Sequence, residues 1–327
     1  MPPVERDPVS AWAETGGVRL GPVSATGPLD ALEPLGAIVG DASVVGIGVP
    51  THGARELTVL THWIVRFLVE RLGFRAVGMD EESNVGGPVD AYVQHGAGEA
   101  RTVVGGLWPH HRTVEVLDIV EWMRVFTQRT PHDPVRFVGL GPDEHDSEGY
   151  DSMAYVESRL AEAVLRWHDD VGSKLVVISG ATHTAVAPDR TVTIGPEAVT
   201  HRNAGSRLRE RLGDGYVSLG LTFHHGVVDL GSGPHEIPVP PAQAVESTLG
   251  EPSTPTMFDL HADVAEPVRR WLDAPATMRL VGPAFDPDEP SKALMSGGSL
   301  AQWFESLVHI GKVGPVTVLA SAETRDT

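Results

Sequence analysis

The sequence contains no cysteine. Disulfides, thiolate metal centres and cysteine nucleophiles are therefore excluded, although this absence alone does not fix a compartment. Lysine is nearly missing, with three residues, so arginine supplies almost all of the positive charge. That charge is also the minority sign: 25 Lys plus Arg stand against 44 Asp plus Glu, a formal net charge of −19. Such a surface repels phosphate backbones and anionic membranes, so neither nucleic acid nor membrane is an expected partner. Long apolar runs are absent; the best, such as "KLVVIS", are strand-sized. The opening "MPPVERDPVS" has no basic region followed by an apolar one, so the expectation is no secretory signal and a cytoplasmic protein.

Several motifs are missing as well. There is no Gly-x-Ser-x-Gly elbow for a serine nucleophile; "GATHT" occupies the place where one would stand. There is no Walker loop, and "NVGGPVD" is Gly-rich without the strand-to-helix setting of a dinucleotide site. No His-x-x-x-His pair or His-Glu-x-x-His run occurs. His224 and His225 are adjacent, which in a regular strand sends their side chains to opposite faces. The expectation is therefore no metal and no cofactor.

What is present is an alternation of two periodicities. Hydrophobic residues make up 41% of 327 positions, enough for a substantial core, and the chain reads as a single α/β domain over 1–327. Residues 1–33 read as an irregular N-terminal segment. Short β-branched runs predict strands at 42–48, 75–80, 135–141, 174–180, 216–223 and 315–320. Between them, apolar residues at three- and four-residue steps predict helices. The first follows "GVPTHG", with Leu57, Leu60, Ile64, Phe67, Leu68 and Leu72 on one face and Gly73 as its C-terminal cap. Others are predicted over 113–129, 153–171 and 206–213, and "LAQWFESLVHIG" looks helical at its start. Alternating strands and helices imply a mainly parallel sheet with right-handed crossovers.

In such sheets ligands bind beyond the carboxyl ends of the strands. Here five successive strand ends carry ionisable groups: Thr51-His52, Asp80-Glu81-Glu82, Asp143-Glu144-His145, Thr182-His183 and His224-His225. This predicts a polar crevice rich in histidine and carboxylate. Histidine exchanges protons near neutrality, and a nearby carboxylate can orient its ring and stabilise its charge. His52 is the candidate base, Asp80 and Glu81 the candidate carboxylates, and His183 the candidate acid or oxyanion donor. Arg55, His62 and Arg66 share one stripe of the first helix and are candidates, with Glu56, Glu82, Asp143 and His224, for contacting substrate. A solvated basic face is the competing reading of that stripe.

The stretch "GVPTHGARELTVLTHWIVRFLVERLGFRAVGMDEE" resembles the erythromycin esterase-like family, whose opening motif reads Gly-Glu-x-Thr-His-Gly. "GLWPHHRTVEVLDIVEWMRVF", "VRFVGLGPD", "LVVISGATH", "YVSLGLTFHHG" and "FESLVHIGKVGPV" resemble later family segments in order, from about residue 40 to 320. The resemblance implies a three-layer α/β/α fold and hydrolysis of a macrolide lactone by a histidine general base, without an obligatory metal in some members. It maps the base onto His52 and the second histidine onto His183, sets Glu56 and Arg66 in the matching helix, and puts Asp80 where the family has Glu. This chain departs from the pattern at Val49, where the family has Glu, and at Leu140-Gly141 and Gly180-Ala181. The helical insertion near 143–173 is shortened, which predicts a more open or differently shaped site.

Two chemistries fit these residues. One is hydrolysis of an ester or lactone of a natural product or related small molecule, including peptide-derived ones. The other is a tailoring reaction of natural-product biosynthesis, in which His52 and His183 drive cyclisation, elimination or isomerisation. A binding protein that lost its chemistry is the third reading. The sequence is silent on oligomeric state.

Overall fold

The computed structural model describes residues 7–141, 153–194 and 197–320. The strands are β1 (Val18–Arg19), β2 (Val44–Val49), β3 (Ala76–Glu82), β4 (Arg136–Gly141), β5 (Leu175–Gly180), β6 (Thr191–Ile194), β7 (Glu197–Thr200), β8 (Tyr216–Asp229), β9 (Pro234–Ile237), β10 (Thr256–Asp259), β11 (Met278–Arg279), β12 (Ala293–Ser296) and β13 (Ser306–Val313). The helices are α1 (Pro8–Thr15), α2 (Glu33–Val39), α3 (Arg55–Leu72), α4 (Ser83–His95), α5 (Ala100–Gly105), α6 (Val114–Arg129), α7 (Met153–Asp170), α8 (Ala181–Thr184), α9 (Ala204–Leu212), α10 (Val245–Leu249), α11 (Glu266–Asp273) and α12 (Leu300–Trp303).

Among the described residues, the large sheet runs β1-β10-β13-β8-β2-β5-β3-β4, with β9 paired to β8. The six strands from β13 to β4 are mutually parallel, and the antiparallel pairs lie at the β10–β1 edge and at β9. The fold is α/β with a mainly parallel central sheet.

Strand alternation divides the core between two faces. Val45, Ile47, Val77, Met79, Val176, Ile178, Val217 and Leu219 join one cluster with residues of α3 and α6. Val44, Ala76, Leu175, Val177 and Tyr216 face the other way, onto Leu160 and Val164 of α7 and Leu208 of α9. The result is three layers. Each fully buried aliphatic side chain contributes about 1.5–3 kcal/mol of burial free energy, so both layers are strongly held.

The structure differs from the sequence reading in several places. "NVGGPVD" lies in the first turns of α4, which starts directly after β3. Gly86, Gly87 and Pro88 are poor helix formers and hide it. Gly86 is needed because a Cβ there would stand 2.7 Å from the Gly139 nitrogen of β4. Residues 8–15 are helical inside the segment read as irregular. The run at 315–320 is not a strand: it makes only single bridges at Pro315 and Val318, and the Thr317 N–H donates to the Glu115 carboxylate instead of to a neighbouring strand. A second sheet, β11-β12-β6-β7, has no counterpart in that reading.

Gly48 couples the sheet to the helix that carries His183. A Cβ there would meet Thr184 Oγ1 at 2.2 Å and the Ala181 Cα at 2.8 Å, both in α8. Gly48→Ala should destabilise the protein by about 1–3 kcal/mol, because overpacking displaces neighbours. Thermal denaturation reads this directly. An unchanged melting temperature would mean that α8 yields freely.

Candidate active site

The site is assembled at the carboxyl ends of three adjacent strands, in the order β2-β5-β3. His52 lies in the loop between β2 and α3, His183 in α8 straight after β5, and Asp80 and Glu81 near the end of β3. A fourth element completes it. The loop between α5 and α6 delivers His110 and His111, whose ring centroids lie 4.7 and 4.9 Å from that of His52. The rings line a small cleft whose walls include Val49, Met79, Ile178, Val116 and Ile119.

A bulge in β3 makes the constellation possible. Met79 pairs with Gly139 and Glu82 with Gly141, so Asp80 and Glu81 together oppose Leu140 alone. A regular strand sends successive side chains to opposite faces, whereas a bulge re-aims them. Here both carboxylates reach His111. Glu81 Oε1 lies 2.5 Å from His111 Nδ1, and Asp80 Oδ1 lies 3.6 Å from His111 Nε2. Glu81 is fully buried and also accepts the Trp108 N–H at 3.0 Å with each oxygen. Asp80 is anchored by the Ser179 hydroxyl of β5, which donates to its Oδ2 at 3.0 Å.

The His52 and His111 loops are tied together by residues 314–319. Gly314 and Thr317 accept from the Arg55 and Val114 N–H groups, and Val316 and Leu319 donate to Gly53 and Arg112. Glu56 and Glu115, in the first turns of α3 and α6, accept the Gly314 and Thr317 N–H groups in turn. Two loops far apart in sequence are thereby held side by side.

On the other side of the crevice, His183 Nδ1 stands 3.1 Å from Glu157 Oε1 of α7. Glu157 is fully buried and accepts from Arg190 Nη2 at 2.5 Å and from the Ala204 N–H at 2.8 Å. Asn203 caps α9 and donates to the carbonyls of Thr182 and Ala185, which fixes the α8 turn.

These surroundings divide the histidines into two charge states. Burial lowers the pKa of half-buried His52 to about 3, and the charge of His111 adds to this, so the His52 ring is neutral with a free lone pair. Burial also opposes a charge on His111 and His183. There the carboxylates win: Glu81 and Asp80 raise His111, and Glu157 and Asp80 raise His183. Burial disfavours the Asp80 carboxylate too, but the neighbouring histidines, His111 foremost, outweigh it and lower Asp80 to about 2. A neutral base and an ionised carboxylate thus share the crevice with two histidines whose charged forms are favoured. His52, His110 and His111 also present ring nitrogens within 4.8 Å of one another, a spacing that one transition-metal ion could bridge. Their separation in sequence gave no such signal.

The remaining candidates lie elsewhere. Arg66 is roughly 16 Å along α3 from its start at 1.5 Å per residue, and it donates to the carbonyls of Ala25 and Gly27 and to Glu70. It pins the N-terminal segment, and its donors are occupied by backbone. His62 is buried beneath the Trp122 ring, and burial lowers its pKa to about 4. Arg55 is exposed and pairs with Glu56, whose other oxygen serves Gly314. Glu82 is buried at the junction of β3 and α4. His224 Nδ1 lies 3.1 Å from His225 Nδ1, with Glu251 nearby, so these adjacent rings converge instead of parting. Asp143 lies outside the described residues.

Sequence reasoning missed His110, His111, Glu157, Ser179 and Arg190. Glu157 did leave a trace. It sits on the apolar stripe of α7 with Leu160, Ala161 and Val164, where a lone carboxylate must find a buried partner.

Fold and site together define an α/β protein with a histidine–carboxylate crevice at the carboxyl edge of a parallel sheet. The family profile described as Erythromycin esterase matches residues 69–159 and 143–313, and the chain belongs to that family. A curated relative, "Erythromycin esterase type II" of Escherichia coli, is 26% identical over 111 residues, which is 34% of this chain and 26% of that protein. The chain therefore aligns with about a quarter of that relative's length. Among solved structures, a Bacillus cereus protein covers 95% of this chain and 98% of its own at 20% identity, with a TM-score of 0.79. A succinoglycan biosynthesis protein gives the same coverage and TM-score at 19% identity. A mutant of the erythromycin esterase EreC in an open conformation covers 93% of this chain and 99% of its own at 13% identity, with a TM-score of 0.66. These likenesses concern the fold. Among the described residues no helix is long and apolar enough to cross a membrane.

The charge states set a pH dependence for any proton transfer at this site. His52 gains a proton only as the pH falls through about 3, so an acid limb of kcat/KM is expected there. His111 and His183 are raised, so their charges persist through the ordinary value of 6.5 and are lost above it, giving the alkaline limb. A pH–rate profile checks this. An acid limb at 6.5 would mean that His52 is not the base.

Proposed function

We propose that this chain hydrolyses an ester or lactone of a natural product or related small molecule, with His52 as the general base. One observation carries the reading: His52, whose neutral form burial favours, lies against His111, whose charged form Glu81 and Asp80 favour. In this reading His52 takes a proton from water as the oxygen attacks the carbonyl carbon. His183 donates to the oxyanion that forms, in a crevice where charged donors act strongly. Asp80 stabilises the His52 imidazolium. The C–O bond then breaks, and the His52 proton passes to the departing alcohol. One water is consumed, and one acid and one alcohol are released. The substrate is a small molecule, including modified peptides.

Val49 favours a second reading. It is buried in the cleft floor, so β2 offers no carboxylate to hold a water beside His52. His52 and His183 would then move protons within one substrate, giving cyclisation, elimination or isomerisation. Mass spectrometry of macrolides, lactones and modified peptides treated in ¹⁸O water separates the two. A labelled gain of one water is hydrolysis. Loss of water, or a new isomer of unchanged mass, is the tailoring reaction. Ligand retention without any turnover would leave a binding protein.

A further inference from the structure

Glu157 offers more than a structural ion pair requires. Its carboxylate is fully buried and four groups converge on it: Arg190, the Ala204 N–H, His201 at 3.4 Å and His183 at 3.1 Å. Arg190, itself fully buried, and the Ala204 N–H already supply a charge partner and a backbone donor. The approach of His183 therefore does something else. Its Nδ1 comes within ion-pair distance of Glu157 Oε1, though not in the alignment of a formed hydrogen bond, and the two nitrogens of an imidazole lie on different sides of the ring. Nε2 is thereby left on the side away from Glu157. The α8 turn is held by Asn203, and Gly180 lacks a Cβ that would stand 3.3 Å from His183 Cδ2. Ring and backbone are both constrained.

We propose that Glu157, backed by Arg190, is a positioning residue that holds His183 with Nδ1 protonated and Nε2 presented to the crevice as its proton donor. The charged and titratable groups facing His183 are Glu157 from α7, Arg190 and His201 from the segment between α8 and α9, Asp80 from β3 and His52 after β2. Burial opposes the His183 charge, Glu157 and Asp80 favour it, and Arg190 opposes it. Glu157 makes the strongest favourable contact, and its effect is delivered through His183 without contact with substrate.

The opposing signs of Glu157 and Arg190 give the test. Histidine titration by NMR on ¹⁵N-labelled full-length protein needs no substrate, so it stands apart from the hydrolase reading on which the catalytic consequence rests. In Glu157→Gln the His183 pKa should fall to the ordinary histidine range or below, and in Arg190→Met it should rise above wild type. Glu157→Asp should recover part of the wild-type value. The Nδ1 proton resonance of His183 should be lost in Glu157→Gln and kept in Arg190→Met. A merely structural pair would destabilise both variants and move the titration in neither or in the same direction, and that result overturns the proposal. If Glu157→Gln does not fold, the opposite shifts of Arg190→Met and Glu157→Asp decide alone. With a substrate in hand, Glu157→Gln should lower kcat with little change in KM and move the alkaline limb to lower pH.

Discussion

Replacing His52 by alanine should lower kcat/KM by about 10²- to 10⁴-fold, the usual contribution of a positioned general base. The fold should survive. The ring is half-buried and lies in a loop held by backbone bonds from Gly53 to Asp229 and Val316, so the stability cost should not exceed about 1 kcal/mol. The comparison needs steady-state kinetics beside thermal denaturation on the same preparation. A His52→Ala variant that melts like wild type and turns over substrate within threefold would remove His52 from the chemistry. His110→Ala is the informative companion, because His110 is exposed and touches the His52 ring without a carboxylate of its own. It should cost far less activity than His52→Ala. Chelator treatment extends the comparison: a metal bridging the three rings would make His52→Ala, His110→Ala and His111→Ala lose activity together.

The largest effect on stability should come from Glu81→Ala, at about 3–5 kcal/mol. Glu81 is fully buried, and its removal strands both the His111 Nδ1 proton and the Trp108 N–H in a water-poor site. An unmet buried donor costs its full desolvation, which is why the loss exceeds the net worth of the bonds. Glu81→Gln keeps an acceptor and the shape, and should cost clearly less. The penalty should also depend on pH in a defined direction. Glu81 and Asp80 overcome the burial penalty and raise His111. A raised folded-state pKa contributes stability that is fully present below the unfolded value of 6.5 and is lost as the pH rises through the folded value. The gap between wild type and Glu81→Ala should therefore be widest on the acid side of 6.5 and narrow at alkaline pH. Denaturant unfolding across that range measures it, and a constant gap would show that His111 is not the linked group.

These two results depend on side chains that the sequence revealed unequally. His52 was legible because it follows a buried strand and precedes an amphipathic helix, a setting that places a loop at the carboxyl edge of a parallel sheet. Asp80, Glu81 and His183 were legible for the same reason. His111 was not. The "WPHH" segment follows no strand, and it reaches the crevice because residues 314–319 tie its loop to the one after β2 and Glu81 of β3 holds Trp108 and His111. Glu157 belongs to a helix, far from any strand end, and arrives by packing of α7 against the sheet. Arg66 failed in the opposite way. It shares a stripe with Arg55, but three further turns carry it away from the crevice to the carbonyls of Ala25 and Gly27.

The sequence by itself determined most of the local periods: β-branched runs that favour buried strands, and three-to-four spacings that favour amphipathic helices. Those periods are set by backbone geometry and by burial of apolar surface, both of which act within a segment. They were enough for a mainly parallel sheet and for the edge on which the ionisable groups gather. Tertiary structure alone decided which of those groups meet. The β3 bulge turns two neighbouring carboxylates toward one histidine, and α7 brings Glu157 to another. Once buried together, the groups set one another's charge, favouring a neutral His52 against a charged His111. Burial and charge at a few ångströms depend on distances between segments, and no spacing along the chain encodes them.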